Sequence, residues 1–189
     1  MADEPQIVLV RHGETEWSSS GKHTSYSDIP LTERGREQAA ALASRLMGRR
    51  FRLVLSSPRE RALDTCAFAG LGEQVEICED LDEWNYGQYE GRTTTEIRAE
   101  VPDWTIFTHG VPGGETREQV AERADRVLAR AVEADDHVAL FSHGHFLRVL
   151  GARWIGLDAT EGRVLGLDVA TLSVLGYERA QRVLRTWNA

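Results

Sequence analysis

Two histidines in this chain each stand one residue beyond a short apolar run and directly before a glycine. Ile7-Val8-Leu9-Val10 leads into Arg11-His12-Gly13, and Val138-Ala139-Leu140-Phe141 leads into Ser142-His143-Gly144. A third run, Leu53-Val54-Leu55, leads into Ser56-Ser57-Pro58-Arg59-Glu60-Arg61. Together they supply imidazoles and guanidiniums, a set suited to an anion and to phosphate first of all. A guanidinium carries a permanent charge and a planar fork of donors that matches phosphate oxygens. A neutral imidazole beside that phosphate can attack phosphorus, provided its other nitrogen is protonated and held, usually by a backbone carbonyl. Gly13 would let the backbone turn and approach a ligand without a Cβ clash. His143 and a second arginine would stabilise charge on the equatorial oxygens.

Such chemistry also needs an acid for the leaving oxygen. The run Glu79-Asp80-Leu81-Asp82-Glu83-Trp84 holds the candidates. A carboxyl group near a phosphate dianion and an indole has its pKa raised by like charge and desolvation, which favours the protonated form. Spacing alone leaves Asp80, Asp82 and Glu83 open.

Residues this far apart in sequence need a scaffold that brings them to one edge. The continuous apolar runs read as strands buried on both faces, as in a parallel sheet. Ligands of such sheets bind beyond the carboxyl ends of the strands. Strand and helix signals alternate along the chain, which argues for a layered α/β domain. Strands are expected at about 6–11, 52–56, 75–78 and 138–142. Arg163–Val169, Ser173–Tyr177 and Arg182–Thr186 read as closing strands with an antiparallel edge. Helices are expected from Glu33 to Met47 after a Thr32 cap, from a Ser57 cap with Pro58 at the first helical position to near Gly70, over Thr94–Glu100, from a Thr116 capping box to Glu133, and from Gly144 to Trp154. Residues 79–115 are the least regular stretch, aromatic and glycine-rich, and read as a lid or substrate wall.

The bulk numbers narrow the class. A chain of 189 residues with 41% hydrophobic and 28% charged residues reads as one globular domain spanning 1–189. A net charge of −8 argues against a nucleic-acid surface. No apolar run has transmembrane length, and the acidic first residues lack a signal-peptide layout, so a cytoplasmic location without membrane partners is expected. Cys66 and Cys78 show no metal-ligand spacing and read as two buried free thiols. His143 and His145 are spaced for a metal pair, but no carboxylate cluster adjoins them, so neither metal nor cofactor is expected. His23, His109 and His137 read as surface or loop histidines.

With these residues in view, a family resemblance is clear. Leu9-Val10-Arg11-His12-Gly13-Glu14-Thr15-Glu16-Trp17 resembles the signature of the histidine phosphatase superfamily, in its phosphoglycerate-mutase-like branch. Leu31-Thr32-Glu33-Arg34-Gly35, Ser56-Ser57-Pro58-Arg59-Glu60-Arg61-Ala62, Leu81-Asp82-Glu83-Trp84-Asn85-Tyr86-Gly87, Gly113-Gly114-Glu115-Thr116 and Phe141-Ser142-His143-Gly144 follow in the family's order. The resemblance covers roughly residues 6–150. It implies a three-layer α/β/α sandwich with a mostly parallel central sheet. It implies His12 as the phosphorylated nucleophile, Arg11, Arg61 and His143 as the phosphate pocket, and Glu83 as the proton donor. Ser18, Thr24, Ser25, Tyr86, Gly144 and His145 fall at positions that shape the substrate side. Arg59 is either a further substrate contact or a surface bridge. Glu115 is expected to steady a pocket arginine.

The family contains phosphatases and mutases, which share the phosphohistidine. A mutase excludes water and returns the phosphoryl group to a second hydroxyl. The mutases carry a long covering insertion between the acid motif and the Gly-Glu-Thr motif, whereas about thirty residues separate Glu83 from Glu115 here. An open site hydrolyses. The expectation is therefore a metal-independent phosphatase acting on small phosphate esters, such as sugar phosphates, sugar bisphosphates or phosphoglycerate-type compounds. The alternatives are a cofactor-dependent phosphoglycerate mutase and, from another class, a phospho-ligand binding module without turnover. An exposed edge strand would allow a homodimer.

Overall fold

The computed structural model describes residues 4–189. In chain order the elements are β1 (Ile7–Arg11), α1 (Glu16–Ser19), α2 (Glu33–Leu46), β2 (Leu53–Ser56), α3 (Glu60–Phe68), β3 (Val75–Ile77), α4 (Thr94–Arg98), α5 (Ile106–His109), α6 (Arg117–Glu133), β4 (Val138–Ser142), α7 (Gly144–Trp154), β5 (Leu172–Glu178) and β6 (Gln181–Thr186). The strands form one sheet in the order β3-β2-β4-β1-β5-β6. The first four run parallel, while β5 and β6 close the far side antiparallel.

The two histidine-bearing runs are neighbours. Ile7 stands beside Val138, and the register ends with Arg11 beside Ser142. β2 joins the other side of β4, with Ser56 beside Phe141. All three runs therefore end on one edge, with His12 N–H donating to the Ser142 carbonyl at 3.0 Å and Ser57 N–H to the Phe141 carbonyl at 3.0 Å.

The strands are apolar throughout because both faces are covered. Val8, Val10, Val54, Ala139 and Phe141 pack with Leu42 and Leu46 of α2 and Cys66 of α3. Ile7, Leu9, Leu55, Val138 and Leu140 face the other way, onto Val120, Val127 and Leu128 of α6 and Leu147 and Leu150 of α7. Alternation by two along each strand produces these two layers. Burying both sides removes enough apolar surface to outweigh the ordering cost of the chain.

Three expectations need correction. Residues 163–169 are not a strand: Ala159–Val164 is a 3₁₀ helix capped by the Asp158 side chain on Thr160 N–H, and an irregular segment follows. Leu167 is buried in that segment, and its carbonyl accepts from Arg11 Nη1. The helix after β2 begins at Glu60 with Arg59 as its unassisted cap, so Ser57 does not cap it. Of the two free thiols, Cys66 is buried and Cys78 only partly so. Thr32 and Thr116 cap α2 and α6 as expected.

Candidate active site

His12 follows the last residue of β1 and is buried. Its Nδ1 lies 2.8 Å from the Gly13 carbonyl. A carbonyl only accepts, so Nδ1 carries the proton and Nε2 keeps its lone pair. Burial, together with the charges of Arg61 and Arg11, holds this imidazole well below its usual range. The ring is therefore neutral and nucleophilic at neutral pH.

Gly13 has a different role from the one its motif suggests. A Cβ there would lie 2.4 Å from the Gly35 carbonyl oxygen in the first turn of α2. The glycine permits the β1 loop to pack against α2. Its N–H donates to Thr65 Oγ1 at 3.0 Å, and that hydroxyl donates to the Arg61 carbonyl at 2.7 Å. This chain of bonds ties the nucleophile's loop to α3 and its arginine.

Arg61 is fully buried without a carboxylate partner. Its Nη1 donates to the Ser27 carbonyl at 3.0 Å, and its Nη2 to the carbonyls of Ser25 at 2.9 Å and Thr24 at 3.3 Å. Neutral carbonyls position the guanidinium and leave its charge uncompensated, which suits an anion. Glu90 holds the loop that provides them, accepting from Ser25 N–H at 2.9 Å and Ser27 N–H at 3.2 Å. Arg11 is held in the same manner, with Nη1 donating to the Leu167 carbonyl. The segment expected as a strand is thus the support of the first pocket arginine. A Cβ on Gly144 would come within 3.2 Å of Arg11 Cζ, so glycine there makes room for the guanidinium.

His143 lies beside His12, with ring centroids 5.2 Å apart. Its Nε2 is 2.8 Å from Ser57 Oγ. Among the described residues, three buried polar atoms have no hydrogen-bond partner: Arg11 Nε, Arg61 Nε and His143 Nδ1. Buried polar atoms are seldom left unpaired. Two of them are guanidinium N–H groups on residues grouped around His12, donors left free for an anion, and the third is on the adjoining imidazole.

Glu83 is buried at the start of α7. Its Oε1 accepts from Trp84 N–H at 2.9 Å and Phe146 N–H at 2.8 Å, and its Oε2 accepts from His145 N–H at 3.0 Å. Burial pushes its pKa up against those three bonds, and burial prevails. Oε2, with one bond against two, has the free lone pair for a proton. Glu115 does not steady a pocket arginine. It pairs with Arg123 of α6, whose Nη1 donates to the carbonyls of Asp80 at 2.7 Å and Asp82 at 3.0 Å. That pair braces the acid-bearing loop.

A cavity of about 170 Å³ opens over His12, Arg11 and Glu83. Ser18, Thr24, Tyr86, Gly144 and His145 line it. Ser25 does not: it is buried in the loop behind Arg61. Nor does Arg59, which grips Asp82 through Nε at 3.0 Å and Nη2 at 2.8 Å. His23 is no surface residue. It is buried against Tyr86, Trp104 and His145, lines the cavity, and is pushed down to about 4 by burial. His145 engages the Tyr86 hydroxyl through Nδ1, so His143 and His145 point to different hydroxyls rather than to one centre. Among the described residues, no group of three or more His, Cys, Asp or Glu is placed to hold a metal, and no helix is long and apolar enough to cross a membrane. Lys22 and Arg148 also line the cavity, and Arg148 lies in no motif that would have flagged it.

Known proteins share this chain's sequence and fold. The family model described as histidine phosphatase superfamily (branch 1) matches residues 7–189. An acid phosphatase of Mycobacterium tuberculosis is 43% identical over 95% of this chain and 90% of its own length. A glucosyl-3-phosphoglycerate phosphatase of Mycolicibacterium vanbaalenii is 33% identical over 93% of this chain and 86% of its own. A sedoheptulose 1,7-bisphosphatase of Saccharomyces cerevisiae is 34% identical over 81% of this chain and 68% of its own. The solved structure of an open reading frame product from Mycobacterium tuberculosis superposes with a TM-score of 0.93 at 41% identity, covering 98% of both chains.

Proposed function

The chain belongs to branch 1 of the histidine phosphatase superfamily and is a phosphoric monoester hydrolase, and on that footing we propose that it works without a metal, through a phosphohistidine on His12. The observation that carries this reading is the ring of unpartnered buried atoms on Arg11, Arg61 and His143 around an imidazole whose Nε2 lone pair is free. The His12 Nε2–phosphorus bond forms as the ester oxygen–phosphorus bond breaks. The leaving oxygen takes the proton from Glu83 Oε2. Water then enters, gives a proton back to the Glu83 carboxylate, and its oxygen displaces the phosphoryl group from His12. Arg11 and Arg61 meet charge that grows on the equatorial oxygens, where fixed donors in a buried site act most strongly.

The substrate we infer is a small phosphate ester with a second anionic group. Arg148 lines the cavity, stacks over Phe107 and donates through Nε and Nη2 to the carbonyls of Gly162 and Arg163, with no acidic partner. Lys22 lines the same cavity, while Glu83 is its one carboxylate. In a chain of net charge −8, this local reversal favours a metabolite with an anionic group besides the phosphate. The names of the bisphosphatase and phosphoglycerate-type relatives support the same class.

The test is phosphate release in EDTA across sugar phosphates, sugar bisphosphates and phosphoglycerates, with His12→Ala alongside. Release that survives EDTA, disappears in the variant and ranks doubly anionic esters first is expected, together with an acid-quenched phosphoenzyme. Turnover by His12→Ala would remove the nucleophile. A preference for esters with neutral tails would remove the second anionic group.

A further inference from the structure

Ser57 and Asp82 perform no step of the reaction above, yet both are buried behind His143. Ser57 Oγ lies 2.7 Å from Asp82 Oδ1 and 2.8 Å from His143 Nε2. Arg59 grips the same carboxylate with two N–H groups. A carboxylate paired in this way accepts and does not donate. The single proton of the Ser57 hydroxyl therefore points to Asp82, and its oxygen must accept from His143. The Arg59 N–H, 3.3 Å from the same oxygen, agrees with that role. The imidazole proton of His143 is thereby placed on Nε2. What remains on Nδ1 is a bare lone pair, buried and unpartnered among the described residues.

A bare lone pair repels the oxygen of a phosphate dianion. It welcomes an oxygen that carries a proton. We propose that Asp82, acting through Ser57, fixes His143 as a proton acceptor toward the substrate, so that the bound phosphoryl group brings one proton more than the free dianion. The proton is the P–O–H proton of the monoanionic ester. It is shared with Nδ1 or passes to it, leaving an imidazolium beside a dianion, and the proton count is the same. The groups facing His143 are the cations Arg61, Arg11 and Arg59, the neutral His12, and Asp82 behind Ser57. The three cations disfavour an imidazolium in the empty site, and an arriving phosphate reverses that balance. Ser57 and Asp82 are positioning residues here. The inference uses the proposed function only for where the phosphate sits.

The experiment is calorimetry of methylphosphonate binding on the alkaline side of its second ionisation, where the free dianion, like that of an ester, has no P–O–H of its own, in buffers of different ionisation enthalpy. The wild type is expected to take up about one proton per methylphosphonate and to weaken about tenfold per pH unit. Ser57→Ala frees the other tautomer, whose Nδ1–H donates to the dianion directly, so the pH dependence flattens. Ser57→Thr restores it, and Glu83→Gln keeps it. Histidine ¹⁵N spectra of the unliganded wild type should show His143 protonated on Nε2. A proton on Nδ1 in those spectra, no uptake by the wild type, an unchanged slope in Ser57→Ala, or loss of uptake in Glu83→Gln would each overturn the proposal. None of these readings depends on turnover, so a failed phosphohistidine assignment would be seen separately.

Discussion

His12 and Glu83 are both buried, and burial pushes them in opposite directions for one purpose. Desolvation disfavours whichever form is charged, so His12, the proposed nucleophile, is held neutral and Glu83, the proposed acid, keeps its proton to a higher pH than a free carboxyl. The nucleophile's lone pair and the acid's proton thus coexist below the range where Glu83 ionises. This sets the sign of the pH profile: the rate falls as pH rises through the elevated Glu83 pKa. Glu83→Gln removes that proton, and general acid catalysis of this kind contributes about 100-fold or more. The loss should fall on alkyl phosphates, whose leaving oxygens need a proton. An aryl phosphate with a stable leaving phenolate should be much less affected. Steady-state rates on the two substrate types decide the matter, and an equal loss on both would show that Glu83 serves the pocket's shape instead.

At the level of elements, the parallel strands and the long helices were legible in the sequence, because their apolar periods are clean and their caps are local. The shared His-Gly ending of the β1 and β4 runs pointed to one crevice, but not to their direct pairing, which the sheet order supplies. What stayed hidden depends on contacts across the fold. Ser57 carries every local sign of a helix cap, yet Asp82 and His143 take its hydroxyl. Residues 163–169 alternate like a strand, but no strand lies beside them, and the Leu167 carbonyl is bound to Arg11. Arg148 sits outside any motif and matters only by position. The two motif glycines separate packing from chemistry. Gly13→Ala drives a Cβ into the Gly35 backbone, which cannot give way, and should cost stability by about 1–3 kcal/mol. Gly144→Ala meets the Arg11 guanidinium at the start of a helix that tolerates alanine. It should leave the melting temperature nearly unchanged while raising KM for phosphate esters. Denaturant unfolding beside KM measurement tests the pair, and the reverse pattern would show that Gly13 serves the ligand and Gly144 the fold.

Across the whole molecule, the conditions for activity and for stability pull apart in acid. The proposed reaction requires a protonated Glu83, whereas the fold buries His12, His23, His143 and His145 with each imidazole held below its usual range. An unfolded histidine binds its proton near 6.5, and folded His23 does so only at about 4. Between those values the unfolded state holds more protons, so stability is fully present above 6.5 and is lost as pH falls toward 4. The full loss from His23 is about 3 kcal/mol, of which about 2 kcal/mol has gone by about pH 5. Glu83 works the other way, since its raised pKa lets the folded state take up a proton first, but one carboxyl stands against four imidazoles. His23→Gln keeps a polar group near Thr94 Oγ1, 3.2 Å from the ring's Nε2, and removes the titration. The fall in melting temperature between about pH 7 and about pH 5 should shrink by about 4–8 °C in that variant, at about 2–4 °C per kcal/mol for a chain of this size. An unchanged fall would mean that His23 does not couple folding to pH. A shrinkage of the expected size would make the acid limit of this enzyme a property of its buried histidines, reached while Glu83 is still protonated and the reaction is still possible.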